Sequence, residues 1–225
     1  MKTLEVIYRD ALLLAINKPA GLPVHKGAGR KMATLEDYLD DLRFGLPLRP
    51  ELAHRLDKDT TGCLLLGRNK TALKRLSELF QKQQISKTYM ALVHGKLEKS
   101  AGEINLKIAK KSRDKKSWWG KVDPNGQEAI TLYEVLASND DASLVKLTPL
   151  TGRTHQLRIH MQALGHPIMG DAIYGLKGDK RSLCLHCSSM EVPLYAKRDK
   201  IIVSADLPEL FKDEMEKLGL SFSNM

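Results

Sequence analysis

Apolar residues recur along the chain in two rhythms. Short runs of alternating or continuous apolar character, bounded by Gly, Pro, Asn or Asp, predict strands at Leu4–Tyr8, Leu12–Asn17, Cys63–Gly67, Lys87–His94, Glu103–Ile108, Glu128–Leu136, Ser143–Leu147, Leu183–Met190 and Lys200–Ser204. Apolar positions every three or four residues predict helices from Thr34, a candidate N-cap with Asp37 after it, through Leu39 and Leu42 to Gly45, and from about Thr71 to Gln83. Further helices are predicted from about Thr154 to Leu164 and from Pro208 to Leu218. Lys18-Pro19-Ala20-Gly21-Leu22-Pro23 forces a turn, 47–50 is a proline-broken loop and 165–178 is turn-rich. Strands often follow one another directly. That order predicts an α+β fold: a largely antiparallel mixed sheet flanked by helices and loops.

Length and composition narrow the class. With 225 residues, 42% hydrophobic and 28% charged, the chain suits a single domain spanning 1–225 or two tightly joined subdomains. We find no internal repeat or clear linker. No apolar run approaches the roughly 20 residues of a membrane span, and the N-terminus lacks signal-peptide features. Cys63, Cys184 and Cys187 are too few and odd in number for a disulfide framework. The expectation is a cytoplasmic monomer with no membrane partner.

Charge changes the picture. Lys and Arg number 36 against 27 Asp and Glu, a net +9 and a pI near 9.4, which favours a phosphate-backbone partner. Lys107, Lys110, Lys111, Arg113, Lys115, Lys116 and Lys121 crowd one segment opposed only by Asp114. Trp118 and Trp119 lie inside it, and basic groups interleaved with aromatics suit backbone contact plus base stacking.

Two segments concentrate chemistry. His54-Arg55-Leu56-Asp57-Lys58-Asp59-Thr60-Thr61-Gly62 packs acids, bases and hydroxyls between a loop and an apolar strand, although Asp and Thr before Gly also serve ordinary turns. Thr151 to His160 opens the predicted third helix, where Gly152 and Thr154 suit a helix start. At helical spacing His155, Arg158 and Gln162 share a polar side, Leu157, Met161 and Leu164 an apolar side, and Ile159 and Ala163 a smaller apolar one. Arg158 between two apolar sides requires an anion. Metal is not expected: Cys184-Leu185-His186-Cys187 lacks a second pair, and His155 and His160 have the wrong spacing for a helical zinc site. Gly27-Ala28-Gly29 lacks the rest of a dinucleotide fingerprint.

Together these segments resemble the RluA family of pseudouridine synthases. His54 to Gly62 is similar to its HRLDxxTSG signature, with Thr61 in place of Ser. Lys18 to His25 resembles its first motif, Lys87-Thr88-Tyr89-Met90-Ala91 its KxYxA strand and Gly152 to His160 its GRTHQLRxH segment. Gly165 to Asp171 and Leu185-His186 resemble later landmarks.

The resemblance implies an isomerase that converts uridine to pseudouridine in structured RNA, a tRNA or 23S rRNA stem-loop, without metal or cofactor. It implies that Asp57 is the catalytic carboxylate, that Tyr89 packs on the target uracil, and that Arg158 pairs with Asp57. Arg55 would enter the space left by a flipped nucleotide. His54, Thr60, Thr61, Lys87, Arg153, His155, Gln156 and His160 are the expected substrate-binding residues, and Lys110, Lys111, Lys115, Lys116, Trp118 and Trp119 the expected backbone contacts. The first motif begins near Lys18, so the compact type without an extra N-terminal RNA-binding module is expected. The alternatives are a non-catalytic RNA-binding or chaperone protein on the same fold and a carboxylate hydrolase, for which Asp59 is the only local second acid.

Overall fold

The most apolar runs become neighbouring strands, β2 (Leu13–Lys18) and β4 (Thr61–Gly67), paired antiparallel with Asn17 opposite Cys63. Every residue of β4 is buried, as befits a strand covered on both faces. In this computed structural model, which describes residues 4–26, 32–110 and 119–221, the chain forms two compact units. One comprises 1–87 with 187–206, the other 88–186 with 207–225.

In the first unit β1 (Glu5–Arg9) flanks β2, and the short β3 (Glu51–Leu52) pairs with β4. The part of β11 (Leu185–Val192) that lies in this unit pairs with β12 (Ile201–Ser204). Helix α1 (Lys70–Gln81) is capped by the Asn69 side chain and packs Leu76 and Leu79 inward. The Thr34 helix is a 3₁₀ segment, Leu35–Leu42, rather than an α-helix reaching Gly45. Asp37 accepts the Thr34 N–H at 2.9 Å, and positive φ at Phe44 (46°) and Gly45 (81°) unwinds the chain beyond it.

In the second unit β5 (Ser86–His94), β10 (Ala142–Pro149), β9 (Ile130–Ser138) and β6 (Ala101–Asn105) run antiparallel in that spatial order. Phe211 and Met215 of α3 (Glu209–Lys217) pack with Met90, Leu92, Leu144 and Met169 to form its core. The single strand expected at Glu103–Ile108 is broken: after β6 the chain leaves the sheet at Leu106 and forms a hairpin of β7 (Ile108–Lys110) and β8 (Gly120–Val122). Where the strand ends, the Leu106 carbonyl is taken by His160 of α2 (Gln156–Ala163). These elements make the fold α+β with a mostly antiparallel sheet, as the strand order predicts. Among the described residues no helix is long and apolar enough to cross a membrane.

Candidate active site

In the first unit the His54–Gly62 segment links β3 to β4. Arg55 and Asp59 are exposed, Asp57 is half-buried, and Thr60 and Thr61 are buried. The Thr60 N–H donates to the Asp57 carbonyl at 3.2 Å and closes a tight turn. Gly62 has φ +102°, and a Cβ there would lie 2.2 Å from the Cys187 carbonyl oxygen. Both facts demand glycine.

Two side chains clamp this loop. The His54 ring stacks on Phe80, centroids 4.5 Å apart, and its Nε2 accepts the Leu65 N–H at 2.9 Å, so the ring is neutral. Burial, helped by the Lys87 charge, drives its pKa down to about 3. The second clamp is Lys18, to which the sequence reading assigned no role of its own. It is fully buried, and its Nζ donates to the carbonyls of Pro19 at 2.8 Å, Leu22 at 3.1 Å and Lys58 at 2.9 Å. Burial lowers its pKa to about 8, opposed by the nearby carboxylates of Asp59 and Asp57. A lysine ending an apolar strand before a proline turn was the available signal. Lys87 is half-buried, and burial lowers its pKa too.

In the second unit the expected third helix is shorter than 154–164. His155 adopts the left-handed conformation (φ 55°), and α2 starts at Gln156. Thr154 does not cap it. The N-cap is His155, and the Gln156 side chain reaches back to accept the Arg153 N–H at 3.0 Å, which closes the turn ahead of the helix. Residues 156–161 are all buried, whereas Gln162, Ala163 and Leu164 are exposed, so the two-sided apolar pattern fails at the C-terminal turn.

The polar letters of this helix separate by role. Gln156 accepts from the Thr151 hydroxyl at 2.7 Å and donates to the Ile130 carbonyl and the Thr131 hydroxyl, both at 3.0 Å. His160 must donate through Nε2 to the Leu106 carbonyl (3.0 Å), so its Nδ1 accepts from Thr131 (3.0 Å). Burial lowers the His160 pKa and keeps this neutral tautomer. These two residues expend their polar atoms on β9 and the strand break. Arg153 donates Nε to the Glu128 carbonyl at 2.8 Å.

Arg158 has the anion its burial requires: Asp171 receives Nε and Nη2, each at 2.7 Å, with side-chain exposures of 8% and 0%. Burial alone would raise the Asp171 pKa, but the Arg158 bonds and two backbone N–H groups outweigh it and lower it. The Arg158 guanidinium carbon lies 5.2 Å from the Tyr174 ring centroid. The Tyr174 hydroxyl meets His155 Nδ1 at 3.0 Å and accepts the Gly120 N–H at 2.9 Å. Through that bond, and through Ile108 against Ile159, the β7–β8 hairpin rests on α2. Lys110 and Trp119 are exposed at its ends, while Lys111, Lys115, Lys116 and Trp118 lie outside the described residues, as do Gly27, Ala28 and Gly29. Tyr89 is buried on β5, opposite Leu147. Cys63, Cys184 and Cys187 are buried and outside any disulfide, and burial pushes the Cys184 thiol up to about 12.

A family model described as RNA pseudouridylate synthase matches residues 12–163, which include the signature loop, Tyr89 and Arg158. The chain belongs to this family. It is an RNA pseudouridine synthase, an isomerase. An uncharacterized RNA pseudouridine synthase of Zymomonas mobilis is 44% identical over 93% of the chain and 96% of its own length. The ribosomal large subunit pseudouridine synthase C of Buchnera aphidicola is 34% identical over 95% of the chain and 70% of its own length. Among solved structures, human RNA Pseudouridylate Synthase Domain Containing 4 superposes with a TM-score of 0.83 at 29% identity, covering 98% of this chain and 95% of that one.

Proposed function

We propose that this synthase isomerises a uridine in a stem-loop of large-subunit rRNA or tRNA, using Asp57 as its catalytic carboxylate. The signature loop carries the reading: Lys18 and His54 clamp it, while Asp57 stays half-buried and Arg55 exposed. The family match across both units supports treating 1–225 as a single catalytic domain. Relatives named for the large ribosomal subunit favour rRNA as the first substrate to test.

The reaction breaks the N1–C1′ bond, turns the uracil and rejoins it through C5. A carboxylate serves this by attacking C1′, by adding to C6 or by helping to remove a ribose proton, and each route uses an ionised Asp57. A stacked uridine is out of reach, so the nucleotide is flipped, Arg55 fills the gap, and Tyr89 packs on the base. Arg158 supplies directed N–H donors, and Lys110 and Trp119 contact the RNA backbone. The protein works as a cytoplasmic monomer without metal or cofactor.

Tritium release from C5-labelled uridine RNA tests this reading. Asp57→Asn is expected to abolish release while RNA binding persists. Near wild-type release by that variant would overturn it, and pseudouridine mapping across total RNA from a strain lacking the protein would identify the target.

A further inference from the structure

Arg158 is fixed in direction as well as place. Its Nε and Nη2 form a fork onto the two oxygens of Asp171, which sets the plane of the guanidinium, and the Tyr174 ring lies on one side. Asp171 is itself held. Its Oδ1 also accepts the N–H groups of Ile173 and Tyr174, both at 2.9 Å, and its carbonyl accepts the Gly175 N–H at 2.9 Å. A Cβ on Gly175 would stand 2.3 Å from that carbonyl oxygen, so the 171–175 turn closes around glycine. His155 and the Gly120 N–H pin the Tyr174 hydroxyl at the far end of the ring.

Such a fork nearly cancels the charge of the arginine within its own unit. What Arg158 then brings to a reaction is a set of aimed N–H donors on its Nη1 edge, and their aim is set by Asp171. A residue needed only to balance charge could as well have been lysine.

We propose that Asp171 is a positioning residue for the isomerisation, acting on the rate solely through the orientation it gives Arg158. This rests on the reading that Arg158 takes part in the reaction. Substitution of Asp171 should therefore slow the chemical step without weakening RNA binding.

The test compares single-turnover rates and RNA Kd for wild type, Arg158→Met, Asp171→Asn, Asp171→Glu and the Arg158→Met/Asp171→Asn double variant. Asn keeps an acceptor for the Ile173 and Tyr174 N–H groups but turns its own N–H toward Arg158, whereas Glu keeps the charge and displaces the fork. We expect Arg158→Met and Asp171→Asn to lose on the order of 30-fold or more in rate, Asp171→Glu to lose about tenfold, and Kd to stay within about threefold. The double variant should be no slower than Arg158→Met alone, because a residue that acts only through Arg158 has nothing further to remove.

Wild-type turnover by Arg158→Met would refute the catalytic reading of Arg158, whatever Asp171 does. With Arg158→Met slowed but still measurable in single turnover, a near-normal rate in Asp171→Asn, a Kd that weakens in step with the rate, or a double variant slower than Arg158→Met would each overturn the role of Asp171. If Asp171→Asn fails to fold, the double variant decides, since it leaves no lone charge buried.

Discussion

The Lys18 ammonium donates at 2.9 Å to the carbonyl of Lys58, the residue that follows Asp57. A side chain at the end of β2 thus holds the backbone of the signature loop, and the bonds to Pro19 and Leu22 tie the first motif to the same nitrogen. Lys18→Met leaves three carbonyls without this donor. We expect a loss of about 2–4 kcal/mol in urea unfolding and a fall in isomerisation rate on the order of tenfold or more.

The same lysine sets a pH dependence. Its folded pKa of about 8 lies below the ordinary 10.5, so between those values the unfolded chain holds a proton that the folded chain has released. Stability from this site therefore rises with pH across that window, and the burial cost is fully present below about pH 8. The unfolding free energy of wild type minus that of Lys18→Met should increase by up to about 3 kcal/mol from pH 8 to 10.5.

His54 acts at the acid end. Its folded pKa of about 3 lies below the ordinary 6.5, so stability present above 6.5 is lost as pH falls toward 3. Glutamine can still accept the Leu65 N–H but takes up no proton. Urea midpoints measured from pH 7 to 4.5 should fall less steeply for His54→Gln than for wild type.

Gly62 combines a left-handed backbone with contact against the Cys187 carbonyl. Gly62→Ala is expected to cost about 3 kcal/mol or more and to displace the start of β4. A variant with an unchanged melting temperature would contradict this geometry.

Thr131 stands between Gln156 and His160, accepting from one and donating to the other. Thr131→Val preserves shape but removes one bond from Gln156 and the donor to His160 Nδ1, and should destabilise the protein by about 2–3 kcal/mol in urea unfolding.

Much of this architecture can be read from local pattern. Continuous apolar runs place β2 and β4, and helical spacing places α1 and α3 to within a few residues. Arg158 between apolar neighbours announces a buried anion; Asp171 in the following turn supplies one, although the sequence reading assigned that aspartate no role and the resemblance named Asp57 as the partner. Other features depend on distant partners. The break after β6 coincides with His160 taking the Leu106 carbonyl, and the left-handed His155 is held by the Tyr174 hydroxyl. No spacing rule applied to 103–108 or 154–164 contains those partners. Lys18 was visible, but a lone basic residue before a proline turn looks solvated until three carbonyls converge on it.

The hydrogen-bond chain from Thr151 through Gln156 and Thr131 to His160 has a consequence for mutational mapping. Alanine at Gln156 or His160 would depress turnover by letting α2 settle elsewhere against β9, and would mimic the loss of a substrate contact. Within this motif, a residue's sensitivity to replacement measures how firmly Arg158 is mounted as much as what the RNA touches.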